Sequence, residues 1–295
     1  MPSPRNNGFA AEMPALGSGS DVSVRAATLF ALNFFVRNWL RLIAVAWLPL
    51  LFAAAILYVS LNGYLSELER FQGAPNSKIA SVALAELAAG IFAALFFNTM
   101  VVVAIVDILG GRESRWRWVH FRAERQEWRL YAAYLKFSVG VVAIFAILGG
   151  VSFVDVTLIP LWLFMPLGIT AAYAVYVRSA FLFPPLTMSE RGPIVRRAWY
   201  LSAPDGWRIA VIVLVLSVPG AFAEMASEFL LRLTGTVVSV SPVTSLAGYA
   251  PGMRHMLPAF LAAMTVWSFF NLSLLTAGAV WVYRALSNER GQPSR

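Results

Sequence analysis

MSERGPIVRRAWYLSAPDGWRI, residues 188–209, sets Arg191, Arg196, Arg197 and Arg208 beside Glu190 and Asp205, between two long apolar runs. Proline cannot continue a helical ladder, so Pro184-Pro185 just upstream predicts the end of the preceding helix. Gly192-Pro193 suits the start of a new one. From 193 to 201, Ile194, Ala198 and Leu201 recur at i, i+4 and i+7, with Arg196 and Arg197 directed elsewhere. Pro204-Asp205-Gly206 is turn chemistry that stops this helix. The stretch therefore reads as a short basic amphipathic helix lying along a membrane interface, anchored by Trp199 and Trp207. Arg196 is expected to pair with Glu190, leaving Arg197 and Arg208 for anionic headgroups.

A helix lying on a membrane needs spans on either side. Apolar residues make up 59% of the 295 positions, charged residues 13%, and mean hydropathy is +0.69. Soluble domains carry roughly 25% charged residues. A spanning helix takes about 20 mostly apolar residues, and six segments qualify: 42–62, 79–106, 137–154, 158–177, 209–231 and 257–283. The fold expected is all-α: a polytopic membrane bundle of six transmembrane helices arranged as three hairpins, with short interfacial amphipathic helices. The third and fourth spans turn tightly around Asp155, and Glu224 and Glu228 interrupt the fifth. Residues 1–20, rich in Pro, Gly, Ser and Asn and without an apolar signal core, read as a retained disordered tail. The membrane domain covers 21–286, and 287–295 is a second tail.

Alternate loops differ sharply in charge. The side holding both termini carries 19 of the 23 Lys and Arg, which places both termini in the cytoplasm. The net charge of +8 is then a topology signal rather than a nucleic-acid footprint. Glu86 and Asp107 are about 31 Å apart along a helix, and Arg208 and Glu228 about 30 Å. Both pairs bracket a hydrocarbon core of about 30 Å. Glu224 is left one turn inside, and Asn98 and Asn271 fall near mid-membrane, where amides serve as interhelical hydrogen-bonding groups or line a solute path. The helices carrying the two amides are expected to pack together, with at least one amide hydrogen-bonded.

The odd spans begin alike, with Asn38-Trp39-Leu40-Arg41, Glu127-Trp128-Arg129 and Gly206-Trp207-Arg208, each a headgroup-level Trp beside a snorkelling Arg. The even spans share Thr170-Ala171-Ala172…Arg178 with Thr276-Ala277-Gly278…Arg284, and Phe96-Phe97-Asn98 with Phe269-Phe270-Asn271. Three hairpins from one repeated unit would give this pattern. Pro184-Pro185, Glu190, Gly192, Arg196-Arg197-Ala198-Trp199 and Gly206-Trp207-Arg208, taken in order, resemble the signature of the bacterial family named for the membrane domain of glycerophosphoryl diester phosphodiesterases. The stretch 31–49 is similar to the start of that family. The resemblance implies a stand-alone membrane domain: the chain has no room for the hydrolase barrel and lacks its clustered His and carboxylates, so no catalytic residue carries over.

The remaining residues narrow the chemistry. Cysteine is absent, which removes disulfides and thiolate sites. His120 and His255 are far apart, no nucleophile–base pairing or phosphate-loop motif occurs, and Glu124 and Glu127 read as solvated among arginines. Gly110-Gly111 and Gly149-Gly150 read as helix ends. No catalytic residue, metal or cofactor is expected. Residues 112–129 interleave six Arg, among them Arg115 and Arg117, with three Trp, and 21–37 reads as an amphipathic lead-in helix with Asp21 as N-cap. With Arg178, Arg191, Arg196, Arg197, Arg208, Trp199 and Trp207 they form a basic, Trp-rich cytoplasmic layer. Anionic phospholipid headgroups are its nearest partner at roughly 1 kcal/mol per basic residue; a membrane protein is a second possible partner, and nucleic acid is not expected. The function expected is non-enzymatic, organising lipid or a membrane partner. The alternative is a small transporter or lipid-translocating channel with a wet path past Asn98, Asn271 and Glu224.

Overall fold

The computed structural model describes residues 22–70, 77–111, 124–154, 161–190, 192–233 and 246–289. Arg115, Arg117, Arg191, the turn at Asp155 and residues 1–20 lie outside them. The described chain is helical, with no strand. Its order is α1 (Val24–Arg70), α2 (Ser77–Leu109), α3 (Arg125–Val154), α4 (Leu161–Arg178), a 3₁₀ turn (Ala180–Leu182), α5 (Phe183–Ser189), α6 (Ile194–Ser202), α7 (Gly206–Leu233) and α8 (Leu246–Glu289). Six of these helices are long and apolar enough to cross a membrane, which makes the chain a multi-pass membrane protein. The three sequential pairs α1–α2, α3–α4 and α7–α8 each pack together, α1 and α7 also pack along α8, and α3 packs on α2.

Local chemistry sets the boundaries. The Ser23 hydroxyl accepts a hydrogen bond from the Ala26 N–H (3.3 Å), so Ser23 caps α1; Asp21, the expected cap, lies outside the described residues. The separate lead-in helix and first span merge into one helix of 47 residues. Its buried positions Ala27, Ala31, Phe34, Asn38, Leu42, Val45 and Ala46 form one unbroken helical stripe, so nothing in the packing favours a break. α2 ends where Gly111 takes a left-handed φ of 66°, which glycine adopts without a Cβ clash. Gly149-Gly150, expected to end a helix, instead lie inside α3. At the start of α3 the Glu127 carboxylate accepts from the Glu124 N–H (3.0 Å), half of a capping box. Glu127 is thereby buried rather than solvated.

The principal core occupies one end of the bundle. It joins the N-terminal half of α1, the C-terminal ends of α2, α4 and α8, and the first turns of α3 and α7. At its centre sits the segment Ser179–Thr187, buried at every position, with Phe181, Leu182, Phe183 and Leu186 essentially inaccessible. Pro184 and Pro185 do not end the fourth span; α4 stops at Arg178 and the prolines fall in the first turn of α5. A buried helix N-terminus has amide donors with no intrahelical partner, and proline, lacking the N–H, removes that cost. The other end of α5 is closed differently. The Arg129 guanidinium of α3 donates to the carbonyls of Thr187 (3.3 Å) and Glu190 (2.9 Å). At the opposite end of the bundle, Arg254 donates to Asn62 and Glu69 (2.9 Å each), tying the start of α8 to the end of α1.

Candidate functional site at the basic end

α6 is laid across the core end and fastened on both sides. Ala198, Leu201 and Ser202 are buried against the bundle, with Ile194 half-buried above them. The Ser202 hydroxyl donates to the Arg178 carbonyl (2.7 Å), and Arg178 donates in return to the Ala203 carbonyl (3.1 Å). The Arg178 guanidinium also stacks over the Trp199 ring at 4.9 Å. On the other side Glu190 binds Arg197 at 3.3 Å and accepts a hydrogen bond from the Tyr283 hydroxyl (3.3 Å). The expected pairing of Glu190 with Arg196 is thus wrong by one residue. Arg197 points back along the helix to Glu190, while Arg196 is exposed and lies 5.7 Å over the Tyr200 ring.

The same reasoning demotes Arg208. Its guanidinium pairs with the buried Asp205 carboxylate at 3.2 Å and lies 5.4 Å over Trp207, so it braces the α6–α7 turn. The cations that no carboxylate offsets among the described residues are different ones. Arg196 on α6, with Arg129 and Lys136 on α3, lines a groove of about 760 Å³. Arg129, Ala132, Ala133 and Lys136 stand at i, i+3, i+4 and i+7, one face of α3, with two methyl-sized side chains between the cations. Val195, Arg196, Trp199 and Tyr200 of α6 form the facing wall, and no carboxylate lines the groove among the described residues.

Of the residues singled out from the sequence, the groove brings together Arg196 and Trp199. Arg178 and Arg197 serve the fastening of α6, and Arg208 and Trp207 stand at the head of α7. Arg129 and Lys136 escaped attention as site residues, although their seven-residue spacing around Ala132-Ala133 marks a single helix face. The three repeated tryptophans, Trp39, Trp128 and Trp207, are 50, 53 and 65% exposed, matching roles at a surface.

The polar residues of the spans sit in tighter company. α2 and α8 are in contact, and the Asn271 amide donates to the Trp267 carbonyl (3.1 Å), so one expected amide bond is made. Asn271 is buried and lies directly on Gly220 of α7. Phe35, two residues before Arg37, rests on Phe269 and Phe270. Asn98 is half-buried, its Oδ1 enclosed with no hydrogen-bonding partner among the described residues. Glu224 belongs to α7, its side chain outside the description. No group of three or more His, Asp or Glu among the described residues is placed to hold a metal ion. The chain matches no protein-family model, no curated protein and no solved structure.

Proposed function

We propose that this is a non-enzymatic bacterial inner-membrane protein, with both termini cytoplasmic, that organises anionic lipid or a membrane protein partner through its basic, Trp-rich end. The resemblance to the membrane-domain family of glycerophosphoryl diester phosphodiesterases belongs to the same proposal. The observation that carries it is the outward face of α6. Val195, Trp199 and Tyr200 are 41, 45 and 56% exposed on a helix whose opposite face is packed into the core. Large apolar and aromatic groups beside a free-facing Arg suit the headgroup–acyl boundary, where rings bury their bodies and cations reach phosphate. The close seating of Asn271 on Gly220 supports a sealed interior there, and so favours this role over a solute path.

Brominated phospholipids quench tryptophan fluorescence on contact. In bilayers containing them, wild type should lose markedly more emission than a Trp199→Phe, Trp207→Phe variant. An equal absolute loss of emission in the two proteins would place Trp199 and Trp207 away from lipid and favour a protein-bound face.

A further inference from the structure

We propose that the groove between α3 and α6 is a discrete site for one anionic phospholipid, its phosphate held between Lys136 and Arg196. This rests on the lipid-facing reading of α6 and adds a stoichiometric site to it. Three features point the same way. The groove, about 760 Å³, lies within the volume range of small-ligand sites. The charge of its described lining is uniformly positive: Arg129 is oriented by two backbone carbonyls rather than by a carboxylate, and Lys136 and Arg196 are exposed. A phosphodiester is the membrane group complementary to such a set.

The third feature distinguishes a lipid from a free phosphate. The α3 face that carries Ala132 and Lys136 continues upward as Val139, Gly140 and Ala143, all exposed. Val139 is 57% exposed, and a Cβ on Gly140 would meet no atom within 4 Å. An apolar strip opens directly above the cations, so a headgroup in the groove has a bed for its acyl chain. Trp199 and Tyr200 wall the same space from α6, and such amphipathic rings favour the headgroup level of a membrane.

The test uses the full-length protein, stripped of lipid in a neutral detergent and titrated with phosphatidylglycerol, phosphatidylcholine or glycerol phosphate under native mass spectrometry. Wild type should hold one phosphatidylglycerol in preference to phosphatidylcholine, and glycerol phosphate should not displace it. Lys136→Gln with Arg196→Gln should weaken that binding roughly thirtyfold. Ala132→Phe, which fills the groove with charge unchanged, should abolish the single bound lipid. Unchanged affinity in the double variant and in Ala132→Phe, both with wild-type thermal unfolding, would remove the site. So would equal retention of phosphatidylcholine, or displacement by glycerol phosphate. If the site fails while Trp199 and Trp207 are still quenched by brominated lipid, only the groove is lost; loss of quenching as well removes the lipid reading itself.

Discussion

Replacing Gly220 with Ala tests whether the bundle is closed around Asn271. A methyl group at position 220 would run into the Asn271 side-chain amide and stand 3.0 Å from its Cγ. Asn271 has little room to retreat: it is 6% exposed, and its Nδ2 is committed to the Trp267 carbonyl at 3.1 Å. Overpacking of this kind costs about 1–3 kcal/mol, and displacing the amide forfeits a hydrogen bond worth about 1 kcal/mol in a membrane. Alanine's better helix propensity returns up to about 1 kcal/mol. The net expectation is a loss of about 1–3 kcal/mol. Asn271→Ala alone should cost about 1 kcal/mol, yet it vacates the space the methyl needs. The double variant should therefore be more stable than the sum of the singles implies, with a coupling of about 2–4 kcal/mol. Reversible unfolding in mixed micelles, read by circular dichroism, measures all four corners of the cycle. A harmless Gly220→Ala with additive singles would refute the packing argument and reopen a path past Asn271.

Three further outcomes follow from the fastening of α6 and from the topology. Ser202→Ala removes the hydroxyl that holds the Arg178 carbonyl and should cost about 1 kcal/mol of stability, while faster amide exchange along α6 reports its release. Arg254→Ala, at the opposite end, breaks contacts to Asn62 and Glu69 whose side chains are partly exposed, so it should cost no more than about 1 kcal/mol, less at high salt, in the same unfolding assay. Reporter fusions at residues 120, 190 and 295 should all report cytoplasm, and a periplasmic signal at any of them would overturn the orientation.

Hydropathy and charge determined the class of this protein. Six apolar stretches of spanning length, separated by loops whose cations concentrate in every second one, leave helices as the open-ended way to satisfy backbone groups in lipid. The hairpin order follows from connection length, and the amphipathic helix read at 193–201, found at 194–202, follows from its own periodicity, because both depend on neighbours in sequence. What one dimension could not supply was the direction of each side chain among neighbours in space. Arg196 and Arg197 are adjacent letters, but 100° of helical turn sends one to Glu190 and the other to the groove. Pro184-Pro185 looked like a stop signal, since proline opposes helix continuation. Only the tertiary structure placed the pair in the core, where the missing N–H groups suit a buried helix start. Likewise Arg129 read as a headgroup anchor and Lys136 as one more cation in a topology count until the structure set both on a groove shared with α6. A site formed between two helices has no period in the chain; it exists only once packing decides which faces meet.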